Sequence, residues 1–397
     1  MNKFTSTGAA ATAAFLLTAC GGGGGSDSDD TPVVTPTEPT TPVDPTPDAL
    51  TIDEGFVQYL TDLSANVIIP GYENLTSEAQ DFFAGTQSFC ALTSPSSGDL
   101  DAVRAQWAQT NLAWQSIQWV GVGGIASGIN PIDFRIQFFP DSSDVVTRAV
   151  EDLLDDPNVV TADFVATQNV GGQGLPALEL LLYPDNESDS LLTATDAAKR
   201  CEVLLAVAEN VENISTEVLD SWLPTGGNFQ EQLITGTGEF TSIRDAIEEL
   251  VTNWLEHVES VKDDKLLDPL GTESPGIIDI SEHFRSAQSI AAIAANLDAI
   301  ETLFVNADGL GYDSILTDIL EQDEIAQDMQ SAIDTAQASV AALNADFDSL
   351  EQALSSDAGR AQVNVIIEDL RIIRDFISIE FIQALDISIG FNSNDGD

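Results

Sequence analysis

The chain has 397 residues, with 66 aspartates and glutamates against 13 lysines and arginines, for a formal charge of −53. That balance excludes the basic footprint of a nucleic-acid or anionic-membrane binder and fits a solvated surface suited to salty surroundings, where repulsion is screened within about 8 Å. The only histidines are His257 and His283, which excludes most histidine-rich metal sites, and there is no H-E-x-x-H helix.

Residues 1–20 read as a lipoprotein signal peptide. Lys3 supplies the short positive region, Ala9 to Leu17 the apolar region, and Leu17-Thr18-Ala19-Cys20 resembles a bacterial lipobox. Cys20 is then the lipidated residue, and Gly21 beside it points to delivery to the outer membrane of a Gram-negative bacterium, facing the periplasm. Residues 21–50 are glycine, threonine, proline and acidic residues, too poor in apolar side chains to fold, and read as a disordered tether. With Cys20 set aside, Cys90 and Cys201 remain, either as a disulfide, expected in an oxidising compartment, or as two buried free thiols.

From residue 51 onward the chain exceeds the size at which one core usually keeps growing, so two subdomains are expected. Pro224 and Gly226-Gly227 suggest a boundary between a bundle over 51–226 and a second over 227–397. Helices are predicted over 55–69, 77–92, 100–120, 174–183 and 195–222. In the second half Ile325, Met329, Ile333, Val340, Leu343, Phe347, Leu350 and Leu354 advance by threes and fours, and a further stripe runs from Val363 to Leu385. The class is all-α, two helical bundles resembling duplicated four-helix bundles with irregular connections. Trp107, Trp114, Phe82 and Phe83 belong to the core, whereas Trp119, before the break at Gly121-Val122-Gly123-Gly124, could line a cleft.

Nucleophilic and phosphate chemistry find no support. There is no G-x-S-x-G elbow and no P-loop lysine, and the glycines at 121, 123, 124 and 128 miss the dinucleotide spacing. The acidic ending 391–397 fails as a calcium loop, because Phe391 would stand at the first ligand position. His257, between Glu256 and Glu259 on a helix, reads as solvated surface. His283, in Ser281-Glu282-His283-Phe284-Arg285, is placed at the start of a helix as a candidate site residue.

The stretch Gly171-Gly172-Gln173-Gly174-Leu175-Pro176-Ala177-Leu178-Glu179 combines a glycine-rich entry, an early-turn proline and a carboxylate. It reads as a helix start, with Glu179 well placed for capping. Gly174 to Glu179 also resembles the G-x-H-x-x-E motif of the imelysin family, bacterial periplasmic proteins tied to iron uptake and sometimes classed as metallopeptidases. Pro176 stands where that motif has histidine. Arg135-Ile136-Gln137-Phe138-Phe139-Pro140-Asp141, the run Glu282 to Ser289, Asn296-Leu297, Gly309-Leu310-Gly311-Tyr312 and the ending from Gly390 to Asp397 are similar to further family blocks, in the family's order.

The resemblance implies a polar constellation between the two halves: Arg135, Glu179, Glu282, His283, Arg285, Ser286 and Ser289. Such a set could hold an oxygen-rich chelate or a hard cation, with Glu179 and His283 as the metal-facing pair and iron or another divalent metal as the implied ligand. The alternative is that Arg135 and the two glutamates only bridge the halves as ion pairs. The implied function is a lipid-anchored, periplasm-facing protein that binds iron, an iron complex or an iron-delivery partner, with nearby-encoded iron-uptake proteins as partners. The competing readings are a metal-dependent peptidase, disfavoured by Pro176 so that the sequence leans away from an enzyme, and a non-catalytic structural or interaction lipoprotein.

Overall fold

The computed structural model describes residues 50–123, 125 and 131–390. The signal peptide, Cys20, nearly all of the tether, Gly124, Gly128 and the ending from residue 391 lie outside them. Among the described residues there is no strand. The helices are α1 (Ile52–Leu63), α2 (Ile69–Cys90), α3 (Ser97–Gln115), α4 (Ile132–Ile136), α5 (Val145–Asp155), α6 (Ala162–Val165), α7 (Leu175–Leu182), α8 (Ala197–Trp222) and α9 (Phe229–Thr235). They continue with α10 (Ile243–Lys262), α11 (Asp268–Leu270), α12 (Ser289–Val305), α13 (Tyr312–Ser314), α14 (Asp323–Asp346), α15 (Leu350–Leu354), α16 (Asp357–Asp375) and α17 (Ile382–Leu385).

Local chemistry sets several of the ends. Thr51 and Glu54 form a capping box at α1, with the Glu54 carboxylate accepting from the Thr51 N–H at 2.9 Å. Ser96 and Asp99 do the same at α3. Helix α14 stops at Asp346, and Ser349 caps α15, so the single helix expected over 325–354 is two. The break expected between 69 and 77 does not occur. Pro70 lacks an N–H and its ring crowds the carbonyl four residues back, yet a π turn at Ser64–Ile68 bonds the Ile69 N–H to the Ser64 carbonyl and opens the helix there, so α1 runs into α2. The same arrangement recurs where α10 passes through a π turn, Asp263–Leu267, ahead of Pro269.

Helix α2 packs along α8 and α3, while α14 packs between α12 and α16, and α10 lies on α16. Contacts of α1 with α10 and of α3 with α12 join the two halves of the chain. The buried apolar side chains, from Phe56 through Trp107, Trp222 and Trp254 to Leu385, form one continuous cluster within the compact unit Ala49–Asp397. Gly226 and Gly227 sit in the turn between α8 and α9.

Cys90 and Cys201 are bonded, tying the end of α2 to the beginning of α8 across a sequence separation of 111 residues. A loop of that length loses much conformational entropy in the unfolded chain. Replacing both cysteines with alanine is therefore expected to lower stability by about 3–5 kcal/mol, read as a fall in the urea midpoint at unchanged m-value.

Candidate functional site

The glycine-rich segment ahead of α7 is shaped by close approach. A Cβ at Gly174 would lie 2.1 Å from the Ile136 carbonyl oxygen and 2.5 Å from that of Arg135, so only glycine lets the chain pass over the end of α4. Pro176 follows at the second position of α7, where its missing N–H costs nothing. Glu179 is the fifth residue of this helix and does not cap it, contrary to the sequence reading. It is 4 % exposed and reaches across to the second half of the chain, where its Oε1 accepts from the Ser286 N–H at 2.8 Å and the Ser286 hydroxyl at 2.6 Å.

Ser286 belongs to the turn that enters α12. His283 lies in that turn and not in a helix, with φ +55°, and Ala287 follows at φ +58°. Left-handed backbone at two side-chain-bearing residues costs of order 1 kcal/mol each and has to be held by its surroundings. Serines hold it. The Ser289 hydroxyl donates to the Glu282 carbonyl at 2.5 Å, and the Ser286 hydroxyl lies 3.1 Å from the His283 carbonyl. The Ser281 and Ser289 hydroxyls are 3.3 Å apart. Ser289 is thus a turn-former, while Ser286 both shapes the turn and holds Glu179.

Beneath the turn lies a buried polar network that the sequence reading missed. Lys265 is one of the chain's four lysines and sits on the π turn after α10. Its Nζ is 2.9 Å from Glu282 Oε2 and donates to Gln115 Oε1 and Asn296 Oδ1, each at 2.8 Å. Glu282 Oε1 accepts from Gln137 at 3.1 Å and Gln115 at 3.3 Å. Burial lowers the Lys265 pKa below the ordinary lysine range, with Glu282 opposing the shift. Burial alone would raise Glu282, but Lys265 and the Gln115 amide pull its carboxyl below the usual range.

His283 stands between the two carboxylates. Its Nδ1 is 3.7 Å from Glu179 Oε2 and its Nε2 is 3.8 Å from Glu282 Oε1, and the indole of Trp107 meets the ring edge-on with centroids 5.5 Å apart. These groups open on a cleft of about 510 Å³, whose lining includes Gln137, Phe139, Pro176, Glu179, His283 and Arg285. Arg285 stacks on Phe284 and faces Asp185, with Nε 3.3 Å from Oδ1. The structure therefore gathers Glu179, Glu282, His283, Arg285 and Ser286 around one opening, with Ser289 behind them.

Arg135 is elsewhere. It faces α8, where Nη1 lies 3.3 Å from Glu217 Oε2 and Nε donates to Gln173 at 3.4 Å. It pairs with neither Glu179 nor Glu282, so the bridging ion pairs considered from sequence are not the ones formed. The block around it contributes Gln137 to the cleft, while Asp141 accepts from the Val145 and Val146 N–H groups at the start of α5. Among the described residues no group of three or more His, Cys, Asp and Glu side chains is placed to hold a metal ion.

His257 is 7 % exposed, not the surface residue expected. The acidic neighbours that suggested a surface are misleading because α10 is packed by α1, α12 and α16. His257 and Trp119 line a separate cavity of about 340 Å³, so Trp119 does face a cleft. Burial, reinforced by the Lys265 charge, pushes the His257 pKa down to about 3.

Comparison with known proteins comes last. The family model for Imelysin matches residues 68–374. The fold is similar to that of an imelysin-like protein from Psychrobacter arcticum 273-4, with TM-score 0.71, 22 % identity and coverage of 86 % of this chain and 99 % of the other. It is also similar to a provisionally named iron-regulated protein A precursor from Parabacteroides distasonis ATCC 8503, with TM-score 0.67, 14 % identity and coverage of 84 % and 95 %. No curated protein matches the chain.

The buried groups give two expectations. Lys265→Met leaves the Glu282 charge buried without its partner and should cost about 3–5 kcal/mol in urea unfolding, much of it recovered when Glu282→Leu is added. His257 has a folded pKa below its unfolded value, so its neutral burial is undisturbed above about 6.5, and stability is lost as pH falls from there toward about 3. Between pH 7 and pH 4 the fall in stability should be smaller in His257→Gln than in the native protein by about 3 kcal/mol, measured as the difference in urea unfolding free energy.

Proposed function

The chain belongs to the imelysin family, and from that premise we propose that it is a lipid-anchored, periplasm-facing protein of the outer membrane that binds iron for uptake. It takes the iron as a complex or from a delivery partner, with iron-uptake proteins encoded nearby as its associates. The observation that carries this reading is the cleft itself. Two buried glutamates, a buried histidine with an unpartnered ring nitrogen, and an arginine at the rim converge on one polar opening. Structural side chains of this kind are normally paired among themselves, and a buried polar atom left free costs about 1–3 kcal/mol. The lipobox at Leu17 to Cys20 supports the anchor, and the name of the Parabacteroides protein supports iron as the theme.

The peptidase reading gains nothing from the site. A metal-activated water needs three protein ligands and a neighbouring base, and Pro176 removes the nitrogen ligand that the family motif would supply on the same helix face as Glu179. Among the described residues no helix is long and apolar enough to cross a membrane, so in this reading attachment falls to the lipid on Cys20.

Calorimetric titration of the mature protein with ferric citrate, ferrous ion and zinc at moderate salt tests the proposal, the salt suppressing diffuse attraction to the acidic surface. Saturable one-to-one binding of an iron species, lost in Glu179→Ala, is the expected outcome. Weak multi-site heat that the substitution leaves unchanged would overturn it.

A further inference from the structure

The proton on His283 can be located from its neighbours, and its place says what the cleft can hold. Lys265 is the fixed point. A lysine ammonium has only donors, so the atom of Gln115 that faces it at 2.8 Å is the amide oxygen. Asn296 Nδ2 at 3.0 Å and Gln118 Nε2 at 2.7 Å donate to that same oxygen. The Gln115 amide nitrogen therefore points the other way. It lies 3.2 Å from His283 Nε2 and also reaches Asn111 Oδ1 and Glu282 Oε1, each at 3.3 Å. The Gln137 amide nitrogen is a second donor near His283 Nε2, at 3.5 Å.

A proton on Nε2 would meet amide N–H groups and find its nearest carboxylate oxygen, on Glu282, out of reach at 3.8 Å. In the neutral ring Nε2 is consequently the acceptor, and the proton sits on Nδ1. Nδ1 is buried and has no hydrogen-bond partner. The nearest carboxylate oxygen is Glu179 Oε2 at 3.7 Å, beyond hydrogen-bonding reach. The other oxygen of Glu179 is already occupied by Ser286. The site thus presents one N–H donor and one carboxylate acceptor side by side, too far apart to satisfy each other.

A hydroxyl group admitted between them, against an Nδ1 that is covered in this structure, would complete that pair, because its oxygen would accept from Nδ1–H while its proton goes to Glu179 Oε2. A bare cation does not, because it would face the N–H proton in place of a lone pair. Arg285, on the wall of the same cleft, offers a planar fork for a carboxylate; it stacks on Phe284 and faces Asp185, whose side chain is 64 % exposed. The cleft volume of about 510 Å³ is that of a site for a small organic molecule and far exceeds a single ion. We propose that the cleft recognises a hydroxycarboxylate, the chelator of a metal complex, and that Lys265, acting through Gln115, is the positioning residue that keeps His283 a donor. The metal-complex part rests on the iron reading above; the proton placement does not.

The test combines nitrogen NMR with binding on the mature protein. The chain has only two histidines, so His257→Gln assigns both rings. His283 is expected as the Nδ1–H tautomer. Gln115→Glu, which keeps an acceptor for Lys265 and places a second one at Nε2, should move the proton to Nε2. Citrate is expected to bind native protein at least about tenfold more tightly than tricarballylate, which has the same carboxylates and no hydroxyl. Gln115→Glu should remove that preference. An Nε2–H tautomer in the native protein would overturn the positioning role of Lys265. Equal affinity for the two acids, or none for either, would overturn the hydroxycarboxylate, and the native protein suffices for both arms should Gln115→Glu not fold. Citrate binding that is indifferent to bound iron would sink only the iron reading, whereas iron binding without citrate preference would leave that reading standing and remove this one.

Discussion

The buried ion pair between Lys265 and Glu282 is the constraint on which the cleft depends. Both side chains are at most 3 % exposed, so each charge is tolerable only beside the other and within a full set of amide partners. Gln115 from α3, Gln137 after α4 and Asn296 from α12 supply that set. These residues come from both halves of the chain, so the requirement to solvate one ammonium and one carboxylate fixes how α3, α12 and the end of α10 meet. The π turn before Pro269 is part of the same solution, since it carries Lys265 at the point where α10 would otherwise have to break.

Much of the helical architecture was legible because amphipathic stripes and capping residues are local signals. The stripes from Ile325 and Val363 marked helices that are present, and Gly174-Leu175-Pro176 marked a helix start within a residue of where it lies. Pro70 misled because the rule that proline ends a helix assumes regular i to i−4 bonding, which the π turn suspends. The halt of α14 at Asp346 was hidden because Phe347 and Leu350 continue the apolar stripe even though Ser349 starts a new helix.

The candidate site was legible where a motif block pointed and illegible where burial decided. Glu179, Glu282, His283, Arg285 and Ser286 come together, and Arg135, from an equally convincing block, does not. Lys265 stands beside Lys262, Asp263 and Asp264, a run that reads as solvated surface, and Gln115 ends an ordinary helix. Nothing in a linear string reports that an ammonium and a glutamine 150 residues apart will share a hydrogen bond. His257 was misplaced for the same reason, since its flanking glutamates say nothing about how many helices cover α10.

Position 176 ties these threads together. A histidine there would stand three residues from Glu179 on one helix face and, with His283 close to the same glutamate, could bring the nitrogen and oxygen donors toward the number a metal ion needs. Proline fits the helix start equally well and contributes no donor, so the carboxylate and His283 are left side by side at the cleft, not bonded to each other. The surrounding structure is arranged consistently with that role. Two left-handed residues and three serines set the His283 turn, Trp107 presses on the ring edge, and the amide of Gln115 holds Nε2. Orientation enforced from so many sides suits the binding of a hydroxyl, which must find its donor and its acceptor at the same time.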